Sequence, residues 1–254
     1  MKILSIITIT RNNPDIKKTL DSLISQEINP HKIEHIIIDN LSSDNTSQIV
    51  RRYQKTTKYP VIYIREKDTG RYNAMNKGIA NSKGRYLLFL NAGDSLHSSE
   101  TLLKVLPKLT TDILYGDIQD KSLKKYPINQ QFFLNHTIFH QAAFIKQSLF
   151  KKYGYYDESL IISGDFDFFI KTIIKHHVTT AYLPLVISNY DRQGISSQKL
   201  DLVYQERAKI ITRYYSGKIF FYNYLKYLYY CYKKYLPKFI TNLQQKRLAD
   251  KPKI

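Results

Sequence analysis

The chain has 254 residues, 43% of them hydrophobic, enough for one sizeable α/β domain with an appendage and a core that needs no covalent staples. Its single cysteine, Cys231, excludes an internal disulfide, and the opening Met1-Lys2-Ile3-Leu4-Ser5 lacks the charged, long-apolar, small-residue order of a secretion signal, so a cytoplasmic protein is expected. A net charge of +18 favours an anionic partner, whether nucleic acid, an acidic membrane surface or a phosphorylated substrate, although genomic base bias towards Lys, Asn, Ile and Tyr also feeds such an excess.

Residues 3–10 read as a buried strand, followed by a helix from Pro14 to about Gln26 with Ile16, Leu20, Leu23 and Ile24 on one face. Ile33 to Asp39 is a second strand, ending on the small polar loop Asp39-Asn40-Leu41-Ser42-Ser43-Asp44 ahead of a helix from about Thr46 to Gln54. Val61 to Arg65 is a third strand, Tyr72 to Ala80 a helix, and Tyr86 to Leu90 a fourth strand. Strands alternating with helices predict a parallel sheet wound by right-handed crossovers. Beyond Asp94 the alternation weakens, with a helix over 99–108, a strand over 112–117, a polar turn-like stretch over 119–131 and a strand from His140 to Ile145. Ser163-Gly164-Asp165 then leads a helix in which Phe166, Phe169, Ile170, Ile173 and Ile174 recur at helical spacing. Asp165 falls in its first turn, and Asp167 points roughly 200° away at about 100° per residue, so the two acids need not share a task.

The most telling stretch is Glu66 to Asp94, because the apolar strand Tyr86-Leu87-Leu88-Phe89-Leu90 runs directly into Asn91-Ala92-Gly93-Asp94. Ligands of open α/β sheets bind at the carboxyl ends of strands, and a hard divalent cation there takes oxygen ligands and usually a substrate diphosphate.

Five pieces together resemble the family 2 glycosyltransferases with a GT-A fold. They are Ser5-Ile6-Ile7-Thr8-Ile9-Thr10-Arg11-Asn12; Ile37-Ile38-Asp39-Asn40-Leu41-Ser42-Ser43-Asp44-Asn45-Thr46; Glu66-Lys67-Asp68-Thr69-Gly70 with Asn76-Lys77-Gly78; Phe89 to Asp94; and Gly164-Asp165-Phe166-Asp167. The resemblance covers about residues 3–175 and implies a Rossmann-like, mostly parallel sheet flanked by helices. It also implies transfer of a sugar from a nucleotide-diphosphate donor to a hydroxyl, usually with inversion at the anomeric carbon.

On that resemblance Asp39 faces the donor's base or ribose, as a carboxylate that accepts two hydrogen bonds can, and Thr8, Thr10, Asn12 and Asp68 line the same side. Arg71, Asn76 and Lys77 lie where the donor phosphates pass. Asp94 is the metal ligand with Asn91 as a weaker one, and Mg2+ or Mn2+ completes its shell from water and diphosphate oxygens. The family often places acids at both ends of this motif, and here only the last is kept. Asp165 is the general base that takes the acceptor hydroxyl's proton from the face opposite the leaving diphosphate. Asp167 and His140 are secondary or acceptor-side candidates, and His136 and His140 also read as plain polar-core histidines. Each aspartate has a structural alternative as a helix cap or loop organiser. Arg192-Gln193-Gly194-Ile195-Ser196 resembles the segment that closes over the donor.

The expected organisation is a glycosyltransferase domain over 1–215, with a nucleotide-sugar half 1–97 and an acceptor half 98–215, and a helical basic and aromatic tail over 216–254. Asn223, Lys226, Lys233 and Lys234 interrupt the tail's apolar content, so it suits an anionic membrane surface, or a partner helix, better than a membrane span. The composite expectation is a peripheral enzyme on the inner face of the plasma membrane that extends a glycan or lipid-linked glycan precursor for surface polysaccharide. Two rivals are a nucleotidyltransferase on a similar sheet, which wants glycines near the first strand where Thr8 to Asn13 has none, and a basic nucleic-acid-binding protein, which leaves the strand-end acids unexplained.

Overall fold

The computed structural model describes residues 2–124, 126–191, 199–217 and the single positions 221 and 225. The chain divides into two compact units, Met1–Gln198 and Lys199–Ile254. In the second the helix Leu200–Tyr214 is described. The closing segment Arg192 to Ser196, and the tail beyond 217 apart from Phe221 and Leu225, lie outside the described residues. Among the described residues no helix is long and apolar enough to cross a membrane.

The first unit carries β1 (Leu4–Thr10), α1 (Ile16–Ile24), β2 (Ile33–Asp39), α2 (Thr46–Thr56), β3 (Val61–Arg65), α3 (Arg71–Ala80) and β4 (Tyr86–Phe89). There follow β5 (Ser95–Leu96), α4 (Thr101–Val105), β6 (Ile113–Ile118), α5 (Gln130–Asn135), β7 (Ala143–Lys146), α6 (Gln147–Tyr153), α7 (Gly164–Phe169) and β8 (Thr180–Asn189). The strand order is β3-β2-β1-β4-β7-β6-β8-β5. β3, β2, β1 and β4 run parallel, β7 pairs antiparallel with both β4 and β6, and β8 returns parallel to β6. Every residue of β2 and of β4 is buried, as expected of central parallel strands covered on both faces. α1 seals one face with Ile16, Leu20 and Leu23, each contributing about 1.5–3 kcal/mol through apolar burial.

β1 and β4 are neighbours, and the chain leaves the end of β1 towards β2 but the end of β4 towards β5, on the opposite side of the sheet. That divergence opens a crevice beyond the strand ends, into which the loops after Thr10, Asp39 and Phe89 project.

Some local expectations need correction. Ile24 is 45% exposed at the end of α1, and Thr19 takes the fourth inward position, because the Thr19 hydroxyl is needed to hold the loop after β4. The strand expected from His140 to Ile145 begins instead with a 3-10 turn over His140–Ala142, and only Ala143–Lys146 pairs with neighbours. The stretch 119–131, expected to be irregular, closes on the start of α5, which Asn129 caps by accepting a hydrogen bond from the Phe132 N–H. Past Phe169 the helix widens into a π-helical turn over Ile170–Lys175.

Candidate active site

The loop after β4 is tied down from two directions. The Thr19 hydroxyl donates to the Asp94 carbonyl at 2.6 Å and accepts from the Gly93 N–H at 3.0 Å. Gly93 has φ +98, and a Cβ there would lie 2.7 Å from Asp191 Oδ2, so only glycine fits both the backbone and the space. The Asp94 side chain is almost wholly buried, and its Oδ1 accepts the backbone N–H of Asp191 at 2.9 Å. Burial, with help from the nearby Asp191 carboxylate, pushes Asp94 up to about 6, against the opposing pull of the Asp191 N–H and Arg71.

On the other wall of the crevice, the first turn of α7 presents Asp165. Its Oδ2 accepts from His140 Nδ1 at 2.9 Å, and its Oδ1 accepts from the Phe166 N–H at 2.9 Å and the Tyr72 hydroxyl at 3.2 Å. Hydrogen bonds to a carboxylate favour its charged form. A Cβ on Gly164 would meet the Tyr72 ring at 2.8 Å, so the glycine lets α7 sit flush on α3. The opposite edge of His140 faces Asn91, with Nε2 3.1 Å from Asn91 Nδ2. One imidazole thus joins the loop after β4 to the acid on α7, and the two predicted halves of the site share one neighbourhood.

A divalent cation fits the donor set on the β4 side. Asn91 Oδ1 is buried with no hydrogen-bond partner, and Asp94 is a carboxylate deprived of water, so both oxygens suit a hard cation. Among the described residues no three His, Cys, Asp or Glu side chains cluster to hold a metal.

The remaining sequence candidates divide. Arg71, at the start of α3, lies close enough to Asp94 to act on it electrostatically. Asp68 Oδ2 and Thr10 Oγ1 are buried without partners. Asn12, at φ 47, accepts from the Ser43 N–H at 2.7 Å and so clips the loop after β1 to the loop after β2. Asp39 is wholly buried, with Oδ1 taken by the Ser42 N–H and hydroxyl and Oδ2 by the Tyr63 hydroxyl. Its carboxylate organises the loop after β2.

Other candidates are engaged within the fold. Thr8 has no exposure, because its hydroxyl donates to the Leu90 carbonyl at 2.6 Å and meets His35 Nε2 at 2.9 Å, inside the sheet. Asn76 spends its amide on Tyr156 and Glu158, tethering that loop. Lys77 is paired with Asp68 at 2.7 Å and Glu66 at 2.8 Å, so its charge is already answered. Asp167 is 3% exposed and acts on Lys171 through its charge. His136 packs against the rings of Tyr126 and Phe132. Sequence reasoning missed Asp191, which follows β8 and carries no motif, and it missed Tyr72 as a partner of Asp165.

The sequence model described as Glycosyl transferase family 2 matches residues 5–173. The chain is 29% identical over 204 residues to a PGL/p-HBAD biosynthesis glycosyltransferase of Mycobacterium bovis, covering 76% of this chain and 78% of the relative. It is 26% identical over 258 residues to an uncharacterized glycosyltransferase of Methanocaldococcus jannaschii, covering 89% and 88%. Among solved structures it is similar to residues 1–349 of S. aureus TarS in complex with UDP-GlcNAc, with a TM-score of 0.66 at 19% identity, covering 92% of this chain and 73% of that one. It is also similar to the mannosyltransferase PcManGT of Pyrobaculum calidifontis in complex with GDP-Man and Mn2+, with a TM-score of 0.66 at 17% identity, covering 83% and 63%. These two likenesses describe the fold, a mostly parallel sheet of GT-A type flanked by helices. With more than half its length matched by the family model, the chain belongs to glycosyl transferase family 2.

Proposed function

We propose that this glycosyltransferase moves a sugar from a nucleotide-diphosphate donor to a hydroxyl of a glycan or lipid-linked glycan precursor, with inversion, in the building of a surface polysaccharide. The observation that carries the reading is a buried Asp94 in the loop after β4 with a separate acid, Asp165, tied to that same loop through His140 and Asn91. Asp165 takes the proton of the acceptor hydroxyl as that oxygen attacks the anomeric carbon, and His140, Tyr72 and the Phe166 N–H hold its carboxylate in place. Arg71 and the buried oxygens of Asp94 and Asn91 serve the leaving diphosphate. Bound there, Mg2+ or Mn2+ supplies charge neutralisation of the diphosphate. Family membership favours glycosyl transfer over the nucleotidyl-transfer and nucleic-acid readings.

For this chain, the nucleotide sugars and Mn2+ bound in the similar structures support a donor of that class. The net charge of +18 and the Tyr- and Lys-rich tail support a cytoplasmic enzyme held at an anionic inner membrane face, where a lipid-linked acceptor resides. The test is a panel of UDP- and GDP-sugars, each with and without Mn2+, followed by slow hydrolysis and thermal stabilisation. One donor should stabilise the protein in a Mn2+-dependent way, and a panel without any such donor overturns the reading.

A further inference from the structure

We propose that His140 is a positioning residue that couples the two ends of the site, its tautomer fixing the amide of Asn91 so that Asn91 Oδ1 is the end that would be available to a cation. The inference deepens the proposed function and rests on its metal site. The chain of reasoning starts at Asp165. Its Oδ2 is an acceptor, so His140 Nδ1, 2.9 Å away, carries the hydrogen between them. In the neutral ring Nε2 is then an acceptor, and the group it faces at 3.1 Å is a donor, Asn91 Nδ2. The two ends of an asparagine amide have nearly the same shape, so hydrogen bonding decides which way it points. With Nδ2 committed to His140, Oδ1 is the end left over, and it is the buried oxygen without a partner. A flipped Asn91 would set oxygen against an acceptor nitrogen and offer the cation a pair of N–H groups. His140 and Asp165 are each about one-sixth exposed, at 15% and 17%, so little water competes for these bonds.

The arrangement accounts for a single carboxylate serving where the related motif often has acids at both ends. Asn91 becomes a dependable ligand because the base side of the site orients it. It follows that removing His140 weakens the cation site, and that a residue at 91 needing no orientation escapes this dependence.

The experiment measures Mn2+ affinity by electron paramagnetic resonance on the full chain with saturating UDP or GDP, for the native protein, His140→Ala, His140→Gln, Asn91→Asp and the double variant Asn91→Asp/His140→Ala, with melting curves for all five. His140→Ala is expected to lose about 10-fold or more in Mn2+ affinity, the usual scale for losing a ligand's hydrogen-bond partner. His140→Gln, whose single amide carries both a donor and an acceptor, is expected to recover part of it. In the Asn91→Asp background, where either carboxylate oxygen binds the cation, His140→Ala is expected to change affinity less than 2-fold, roughly the noise of additive sites. Equal losses in both backgrounds overturn the inference while leaving the cation site standing. Absence of Mn2+ binding by the native protein overturns the metal reading, and this inference with it.

Discussion

The backbone N–H of Asp191 donates to Asp94 Oδ1 at 2.9 Å, bridging residues 97 apart in sequence. The end of β8 is thereby locked onto the loop after β4, and the bare Cα of Gly93 gives the Asp191 side chain its place. Gly93→Ala is expected to push Asp191 off this contact and to cost about 1 kcal/mol or more for the left-handed backbone. Melting curves should fall and Mn2+-dependent donor binding should weaken together. A variant with native melting and native Mn2+ response refutes the lock.

Asp165→Asn keeps the shape of the side chain and removes its basicity. Transfer is expected to fall by about 10²–10⁴-fold, while donor affinity, measured by calorimetry, changes far less, because an amide oxygen at position 165 still accepts from His140 Nδ1. Full turnover by this variant removes Asp165 from the role of base.

Burial lifts Asp94 from its ordinary 3.8 to about 6, so between those values the folded chain holds more protons than the unfolded one. Stability therefore falls as pH rises through that window, by an amount on the order of 3 kcal/mol. A bound cation offsets this loss. Asp94→Asn, which retains an acceptor for the Asp191 N–H, is expected to melt higher than the native chain at about pH 8 without metal and to lose the Mn2+-induced rise. Calorimetry with and without Mn2+ decides, and a variant that melts lower yet still responds to Mn2+ contradicts it.

His35 has the opposite sign. Its ring is fully buried between the Tyr53 hydroxyl at 2.8 Å and Thr8 at 2.9 Å, and burial holds it down at about 3 against an ordinary 6.5. The stability its neutral form contributes is complete above 6.5 and is lost as pH falls towards 3, by up to about 5 kcal/mol. Urea unfolding of His35→Gln should depend less on acid than that of the native chain. The contrast should be clearest in an Asp94→Asn background, where the opposing slope is gone.

Thr8→Val tests the engagement of that side chain within the sheet. Leaving the buried His35 nitrogen without its partner should cost about 1–3 kcal/mol without altering the donor KM. A raised KM at native stability would return Thr8 to the donor site.

The parallel half of the fold was legible because each of its strands is an apolar run bounded by turn residues, and β2 and β3 fall on the expected limits. Legibility faded after Asp94 for physical reasons. β5 is two residues long and exists only because β8 pairs with it, and the turn at His140 depends on packing against β4 and β6 rather than on its own sequence. At the site, Asp94 and Asp165 were visible as acids at element ends. The imidazole bridging Asn91 and Asp165, the backbone N–H of Asp191 and the Tyr72 hydroxyl were not, since each contact is made by residues distant in sequence and shows no spacing of its own. Thr8 misled for the converse reason. It stands in a strand that leads to the crevice, but side-chain alternation along that strand turns it into the sheet.

The seating of Gly164 on the Tyr72 ring bears on how such an enzyme changes its acceptor over evolutionary time. A helix with no clearance beneath it cannot be re-aimed by small steps, since any side chain at that glycine would lever the whole element away from its support. On the proposed mechanism the oxygen that takes the proton is therefore held fixed by the scaffold, and a different acceptor must be accommodated by the surfaces around it.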